Sequence, residues 1–416
     1  MNYNESIEYI HSTPKFSRVL GNDVLRKLLE QLGSPQKSLP VIHIGGTNGK
    51  GSVCAMISSV LAEAGYKTGM FTSPYIERFN ERIQINGEQI ADDDLAEIVT
   101  QIRETMENSG HFVSEFALGA AAAFVYFKRM ECDFAVIEVG MGGRLDATNV
   151  IDESLVTVIT SVSLDHTEYL GNTIGEIAAE KCGIIKQGGS VVTYPTQDLS
   201  AMGVIKSFCA EKNAHLHIPD IPEKIHDGFI YKGKKFELPL KAVYQPYNAV
   251  MALEAVKILR SKGISISDNA VYEGIKNVRW IARFEKVMDS PAVYIDGAHN
   301  FDAVKGLCET LNSMNGKIFI IAAMMKDKDV KNSIQYLSGF ADRFYAADFD
   351  YPRCADREYL AGCSQCPDTF VCESPENALK KALHDADDDT IICVCGSLYF
   401  AGIMRGIIKE TLTNRD

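Results

Sequence analysis

The stretch Val41-Ile-His-Ile-Gly-Gly-Thr-Asn-Gly-Lys-Gly-Ser52 places a β-rich run directly before a glycine-rich turn and a helical pattern. In the helical pattern Val53, Ile57 and Val60 form one apolar stripe that would pack on a sheet. A strand, a glycine-rich turn and a helix in this order point backbone N–H groups at one place, where Lys50 adds a positive charge. The stretch therefore predicts an α/β sheet with a polyphosphate site. The strict phosphate-loop spacing is not met, because Gly51 separates Lys50 from Ser52.

The surrounding sequence alternates short β-rich runs with helical ones. The first series predicts strands at 41–44, 68–72, 134–139 and 156–162 and helices at 50–64, 92–107 and 114–129. A second series follows Asp289-Ser-Pro291, with strands at 293–295, 317–322, 343–346 and 390–395 and helices at 301–311, from 328, 375–386 and 398–408. We therefore expect two α/β domains, residues 1–287 with a mainly parallel sheet and residues 288–416 as a smaller, Rossmann-like domain.

Composition limits the class of protein. The 416 residues carry 55 Asp and Glu against 42 Lys and Arg, and the resulting charge of −13 disfavours nucleic acids and anionic membrane surfaces as partners. Eleven cysteines are an odd number, and several lie in apolar runs, as expected for reduced thiols. We expect a cytoplasmic protein that acts on small molecules.

Polar side chains follow successive predicted strands. Glu138 closes the run at 134–139, and Asp165 and His166 follow the run at 156–162. Because parallel strands end at one edge of a sheet, where α/β proteins bind ligands, these groups are candidates for Mg²⁺ beside a nucleotide. The alternatives are a helix cap or a partner for Arg144 in the case of Glu138, and a structural role for His166.

A further candidate segment opens the second domain. Asp296-Gly-Ala-His-Asn300 ends its first predicted strand and leads into a helix, so that Asp296 and His299 are placed to reach a ligand between the domains. The alternative is a turn that caps the helix. A capping box at Thr173-Ile-Gly-Glu176 starts a short helix that carries Lys181 near its end.

Six segments together resemble one family. They read Gly46-Thr-Asn-Gly-Lys-Gly-Ser52, Thr72-Ser-Pro74 with Arg78-Phe-Asn-Glu-Arg82, Glu138-Val-Gly-Met-Gly-Gly-Arg-Leu-Asp-Ala-Thr-Asn149, Leu164-Asp-His-Thr167, Asp296-Gly-Ala-His-Asn300 and Cys395-Gly-Ser-Leu-Tyr399. In this order they are similar to the folylpolyglutamate synthase/dihydrofolate synthase family of the Mur ligase superfamily. The resemblance implies a phosphate-loop ATPase domain followed by a smaller ligase domain.

The resemblance also implies a reaction. An ATP-dependent amide ligase of one-carbon metabolism would join L-glutamate to the γ-carboxylate of a tetrahydrofolate through an acyl phosphate, with dihydropteroate as a second acceptor. Such phosphoryl transfer needs positioning and charge neutralisation rather than a protein nucleophile, which agrees with the residues found. ATP and Mg²⁺ are the expected cofactors.

Carried over by position, the resemblance assigns site residues. ATP would be held by Asn48, Gly49, Lys50, Gly51, Ser52, Asn248, Arg283 and Asp296. Mg²⁺ would be bound by Ser52, Ser73, Glu138 and His166, and catalysis would involve Lys50, Lys181 as a carbamate, and His299. The pterin side would involve Leu20, Gly21, Asp23, Asp146 and Ala147.

Some positions depart from the family pattern and concern the acceptor. Ser114-Glu-Phe-Ala117 lacks a carboxylate that relatives carry at the position of Ala117, and Tyr75 replaces a histidine. A Mur-type ligase for a different acid acceptor is therefore the second hypothesis, and a nucleotide-hydrolysing switch protein is the third. We expect a monomer.

Overall fold

The computed structural model describes residues 1–14 and 21–413. The chain divides into two compact units. The first unit comprises Met1–Ser163, Thr167–Pro239 and Pro246–Val278, and the second comprises Leu164–His166, Leu240–Gln245 and Arg279–Asp416. The finer boundary after residue 287 stays a prediction.

The first unit is built on an eight-stranded, mainly parallel sheet, as predicted. Its strands are β1 Val41–Gly45, β2 Thr68–Phe71, β3 Ile83–Ile85, β4 Glu88–Gln89, β5 Phe134–Glu138, β6 Val156–Ile159, β7 Ser190–Thr193 and β8 His215–His217. They lie in the order β4-β3-β2-β5-β1-β6-β7-β8, in which only β3 and β4 are antiparallel to their neighbours. The strand of the glycine-rich stretch, β1, thus lies between β5 and β6.

Helices and a small sheet complete the first unit. The helices are α1 Tyr3–Ser12, α2 Asp23–Gln31, α3 Lys50–Glu63, α4 Asp92–Ser109, α5 Glu115–Arg129, α6 Thr167–Leu170, α7 Ile174–Cys182, α8 Leu199–Glu211, α9 Gln245–Ser261 and α10 Asp268–Lys276. Further 3-10 turns lie at Pro35–Ser38, Phe79–Arg82 and Ala147–Val150, and an antiparallel sheet consists of β9 Glu223–Ile225, β10 Gly228–Tyr231 and β11 Lys234–Glu237. The apolar face of α5 and the strands it covers share one buried core.

Local sequence signals explain how individual elements begin and end. The predicted capping box of α7 is present: Glu176 N donates to Thr173 Oγ1 at 3.2 Å, and Thr173 N donates to Glu176 Oε2 at 3.0 Å. The helix ends at Cys182, so Lys181 lies in its last turn, as predicted.

One predicted strand is wrong at its end. The apolar pattern at 156–162 predicts a continuous strand, but β6 ends at Ile159. Beyond that point Ser161 forms an isolated antiparallel bridge with Asn48 of the glycine-rich loop. Beyond Thr160, whose N–H still donates to Gly45 O of β1 at 2.8 Å, the backbone of residues 161–163 therefore supports the loop.

The second unit contains a six-stranded sheet. Its strands are β12 Glu285–Met288, β13 Ala292–Ile295, β14 Lys317–Ala322, β15 Arg343–Ala346, β16 Thr369–Val371 and β17 Thr390–Cys395, in the order β12-β13-β17-β14-β15-β16. Its helices are α11 Phe301–Asn312, α12 Val330–Ser338, α13 Arg357–Cys363, α14 Pro375–Asp385 and α15 Leu398–Thr413. Only β12 is antiparallel, so this unit has the predicted α/β class.

No helix within residues 1–14 and 21–413 is both long enough and apolar enough to cross a lipid bilayer.

Candidate nucleotide and metal site

The carboxyl edge of the first sheet gathers the predicted phosphate and metal residues. Ile44 of β1 is in register with Glu138 of β5, and Gly45 is in register with Ile159 of β6. The loop that follows β1, residues 46–49, therefore emerges between the ends of two neighbouring parallel strands. This is the position at which open α/β sheets bind ligands, and it agrees with the prediction.

Two glycines allow this loop to lie close to its neighbours. Gly46 and Gly49 have φ angles of +136° and +90°, which favour glycine. A Cβ on Gly49 would lie 2.4 Å from Asn248 Oδ1, and one on Gly46 would lie 1.8 Å from Thr160 Oγ1. The structure thus brings Asn248, from α9, to the loop, as the resemblance implies for an ATP contact.

The helix α3 begins at Lys50, directly after the loop. Gly51 and Ser52 are buried in its first turn, and the N-terminal end of the helix adds its partial positive charge to that of the lysine. Lys50 Nζ donates to Thr47 O at 3.1 Å, so its ammonium group is held over the loop. This arrangement suits the phosphates of a nucleotide.

A buried carboxylate faces this lysine. Glu138 is 4% exposed, and its Oε1 lies 3.9 Å from Lys50 Nζ. Ser73 N donates to Glu138 Oε2 at 3.0 Å, so the predicted metal ligands Ser73 and Glu138 are adjacent. Arg144, the partner considered for Glu138, forms an ion pair with Glu180 at 2.8 Å.

These groups have the chemistry that Mg²⁺ requires, namely oxygen donors beside a phosphate site. Among the described residues, no three His, Cys, Asp or Glu side chains form a ready cluster for a metal ion. A magnesium ion here would therefore rely on hydroxyls, water and nucleotide phosphates in addition to Glu138, as Mg²⁺ commonly does.

Lys181 also reaches the phosphate loop. This residue is 4% exposed, and its Nζ donates to Gly46 O at 2.8 Å. The last turn of α7 thus brings to the loop the side chain that the resemblance assigns as a carbamate.

The second unit gathers three of its predicted residues. Asp296 is buried and accepts hydrogen bonds from Tyr244 Oη at 3.1 Å, Phe284 N at 2.8 Å and Ala298 N at 2.8 Å. A Cβ on Gly297 would lie 2.5 Å from Arg283 Nη1, so Arg283 packs against the same turn. Burial raises the pKa of Asp296, against the effect of Arg283 and these hydrogen bonds.

His299 completes this turn. Its Nδ1 lies 2.7 Å from Gly297 O and donates to it, which leaves Nε2 as the acceptor nitrogen of a neutral ring. Burial and then Lys328 lower the pKa of His299 to about 4. Asn300 caps α11 by accepting from Ala303 N at 2.9 Å, so the capping role considered for this segment belongs to Asn300 and not to Asp296 or His299.

Asp165 and His166 group with the second unit. Asp165 Oδ1 lies 2.5 Å from Lys328 Nζ, and its Oδ2 lies 3.8 Å from Nε2 of both His166 and His299. Burial acts to raise the pKa of Asp165, but Lys328 and the two histidines outweigh it and the net pKa is lowered. His166 has a φ of +50°, a left-handed conformation that is uncommon for non-glycine residues.

The predicted pterin-side residues fall in two segments. Leu20 lies outside the described residues, and the others are Gly21, Asp23, Asp146 and Ala147. Asn22 Nδ2 donates to Asp146 O at 2.7 Å, so the structure brings the two segments together. Asp146 itself accepts from Thr148 N at 2.9 Å, Thr148 Oγ1 at 2.6 Å and Met141 N at 2.9 Å, so both of its oxygens hold the local turn.

Several residues that shape the site carry no sequence signal. Thr160, Ser161 and Ser163 contact the phosphate loop, and Gln197 contacts the segment that contains them. None belongs to a glycine-rich, acidic or histidine-containing motif. Their roles depend on which strands become neighbours, and residue spacing does not report this.

Comparison with known proteins agrees with the fold and the site. Residues 44–256 match the Mur ligase middle domain, and residues 282–398 match the Mur ligase glutamate ligase domain. A dihydrofolate synthase/folylpolyglutamate synthase from Bacillus subtilis is 36% identical over 98% of this chain and 99% of its own length.

Solved structures show the same relationship. Escherichia coli FolC in complex with DHPP and ADP is 29% identical, with a TM-score of 0.88 over 100% of this chain and 99% of that chain. A bifunctional folylpolyglutamate synthase/dihydrofolate synthase with Mn, AMPPNP and L-glutamate bound is 27% identical, with a TM-score of 0.86 over 98% of both chains. The chain therefore belongs to the folylpolyglutamate synthase/dihydrofolate synthase family of Mur ligases.

Proposed function

We propose that this protein is an ATP-dependent ligase that joins L-glutamate to the γ-carboxylate of a tetrahydrofolate. The observation that carries the proposal is the opposition of Lys50 and Glu138, 3.9 Å apart beside a glycine-rich loop, at the carboxyl ends of two adjacent strands. A cation and a carboxylate placed in this way suit a nucleotide phosphate and its Mg²⁺. The family relationship supplies the acceptor and the amino acid.

In the proposed reaction the acceptor carboxylate attacks the γ-phosphorus of ATP, and ADP leaves. The amine of glutamate then attacks the acyl phosphate, loses a proton and displaces inorganic phosphate. Lys50 and the N–H groups of the phosphate loop would hold the phosphates and balance the charge that builds up during transfer. Mg²⁺, when bound by Glu138, Ser73 and Ser52, would neutralise further negative charge.

The remaining site assignments are proposals from the family resemblance. They comprise His166 as a magnesium ligand, Arg283, Asp296 and His299 as ATP-side residues, and Gly21, Asp23, Asp146 and Ala147 on the pterin side. Lys181 is proposed as a carbamate, and carbon-13 NMR of protein kept in labelled bicarbonate tests this. A carbamate signal that persists in Lys181→Arg would contradict the assignment.

The first turn of α5 bears on the identity of the acceptor. Ala117 is buried in the first turn of α5, and its N–H donates to Ser114 Oγ at 3.4 Å. A methyl group thus occupies a position at which the family resemblance implies a carboxylate. A Mur-type ligase for another acid acceptor is therefore kept as the second candidate.

Incorporation of labelled L-glutamate tests the function. Purified protein with ATP and Mg²⁺ is given tetrahydrofolate or dihydropteroate, and reactions without ATP or without acceptor are the blanks. Incorporation with tetrahydrofolate alone identifies a folylpolyglutamate synthase, and incorporation with both identifies a bifunctional enzyme. Incorporation with neither points to another acceptor, whereas full-rate phosphate release without glutamate and acceptor would overturn the ligase proposal.

We further propose that the protein acts as a cytoplasmic monomer, without nucleic-acid or membrane partners. All eleven cysteines are buried free thiols, which suits a reducing compartment. Sedimentation at micromolar concentration tests the monomer, and cell fractionation tests the compartment.

A further inference from the structure

The phosphate loop lies on a short extended segment, residues 160–163. Thr47 N donates to Ser161 O at 2.7 Å, and Ser163 N donates to Thr47 Oγ1 at 3.1 Å. Ser161 Oγ donates to Asn48 O at 3.3 Å. The position of the loop therefore depends on the position of this segment.

The opposite side of the same segment contacts Gln197. Val162 N donates to Gln197 Oε1 at 2.9 Å, and Gln197 Nε2 donates to Thr160 O at 3.0 Å and to Thr193 Oγ1 at 3.3 Å. Backbone groups of alternate residues in an extended chain point to opposite sides. The backbone groups Ser161 O and Ser163 N accordingly face the loop, whereas Thr160 O and Val162 N face Gln197.

The side chain of Gln197 takes the place that a further residue of β7 would have beside β6. Strands β6 and β7 pair only as far as Ile159 and Thr193, after which Tyr194 N donates to Ile159 O at 3.2 Å and the chain turns away. The side-chain amide of Gln197 has the same donor and acceptor as a peptide group. It thereby continues the ladder of hydrogen bonds by one further step, along the segment that supports the phosphate loop.

We propose that Gln197 is a positioning residue for the nucleotide-phosphate loop, which it holds in place through residues 160–163. The inference rests on the proposed nucleotide site. Gln197 does not contact the loop in any of these hydrogen bonds and acts through Thr160 and Val162. Because it is 8% exposed, its loss would leave a buried N–H and a buried C=O without partners.

The main test variant is Gln197→Met, which keeps the length of the side chain and removes its amide. A buried backbone group without a partner is costly, so the segment would shift toward other partners and carry the loop with it. We expect the dissociation constant for ADP with Mg²⁺ to rise about tenfold, while the KM for L-glutamate stays within about twofold of the parent. If Gln197 only stabilised the fold, Gln197→Met would lower the melting temperature without weakening ADP binding more than it changes the KM for L-glutamate.

A matched control is available in the same unit. Gln36 is 4% exposed, and its Oε1 has no hydrogen-bond partner among the described residues. Gln36→Met therefore removes an equally buried amide that does not support the loop, and its affinity for ADP is expected to match that of the parent. Gln197→Asn, which keeps the amide on a shorter side chain, serves if Gln197→Met does not fold.

Isothermal titration with ADP and Mg²⁺ measures the outcome, and hydrogen exchange of residues 46–52 reports on the loop directly. Weaker ADP binding and faster exchange in the Gln197 variants, but not in Gln36→Met, support the proposal. Affinity and exchange equal to the parent in a folded Gln197 variant would overturn it. A parent protein that does not bind ADP would instead refute the nucleotide site on which the inference rests.

Discussion

His43 Nε2 lies 2.8 Å from Thr148 Oγ1 in the interior of the first unit. Because the hydroxyl of Thr148 already donates to Asp146 Oδ1 at 2.6 Å, it must accept from His43. His43 therefore carries a proton on Nε2, and Nδ1 is buried with no hydrogen-bond partner among the described residues. This contact links β1, which leads into the phosphate loop, to the predicted pterin-side turn.

The neutral state of His43 predicts a loss of stability in acid. Burial, followed by the charge of Lys186, lowers the pKa of His43 to about 3, from an ordinary value of 6.5. Below pH 6.5 the unfolded chain binds this proton and the folded chain does not, so stability is fully present above pH 6.5 and falls as the pH decreases toward 3. Between pH 7 and pH 5 this histidine should lower the free energy of unfolding by roughly 2 kcal/mol.

Urea unfolding at pH 7 and pH 5 measures the effect. The comparison is His43→Gln, which keeps a donor for Thr148 but does not titrate. We expect the parent to lose more stability than the variant over this interval. An equal loss in both proteins would show that His43 does not carry the pH dependence.

The two positive φ angles at Gly49 and Gly65 allow a matched pair of substitutions. Gly49 has a φ of +90°, and an added Cβ would lie 2.4 Å from Asn248 Oδ1. Gly65 has a φ of +88°, but a Cβ added there would meet no atom of the described residues within 4 Å. Both alanine variants incur backbone strain of about 1 kcal/mol. Only Gly49→Ala should also displace the phosphate loop and weaken ADP binding, by roughly tenfold or more. Equal ADP affinities of the two variants, measured by titration calorimetry, would contradict this.

Glu138→Ala should nearly abolish turnover and leave the fold intact. The variant removes the carboxylate that faces Lys50 and that accepts from Ser73 N, and with it the proposed magnesium ligand. Turnover is expected to fall about a hundredfold or more, because phosphoryl transfer depends on neutralisation of the phosphate charge. Labelled-glutamate incorporation measures turnover, and circular dichroism checks the fold.

The control for Glu138→Ala is Glu107→Ala, on the surface of α4. Glu107 pairs with Arg103 across one helical turn and lies outside the site. Its replacement should leave turnover unchanged. Near-parental activity of Glu138→Ala would refute the assignment.

The ion pair between Asp165 and Lys328 should matter for the stability of the second unit. Their side chains are only 7% and 10% exposed, and removal of one partner leaves the other charge buried. Lys328→Met is expected to lower the free energy of unfolding by about 3–5 kcal/mol. The double variant Asp165→Asn/Lys328→Met should lower it by less than that. Lys286→Met, which breaks an exposed pair with Asp289, should change the melting temperature little. A double variant less stable than Lys328→Met would contradict the ion-pair explanation.

Local patterns predicted much of the fold. The alternation of β-rich and helical runs predicted the α/β class of both units and most of the strands named from it, and the capping box predicted the start of α7. The end of β6 was predicted three residues too late, because an apolar run looks the same whether its backbone pairs with a strand or with a loop. Gln197 could not be identified, since a lone glutamine in a turn matches no motif.

The sequence by itself determined the residue types and their order: a glycine-rich turn before Lys50, a carboxylate at the end of an apolar strand, and a histidine after the next one. These follow from neighbours along the chain, whose spacing sets the periodicity and the turn chemistry. Only the tertiary structure decided that β5 and β6 flank β1, that Gln197 completes the support of the phosphate loop, and that His43 meets Thr148, 105 residues away. Such contacts depend on strand order and packing, which arise from burial of the whole core rather than from any local pattern.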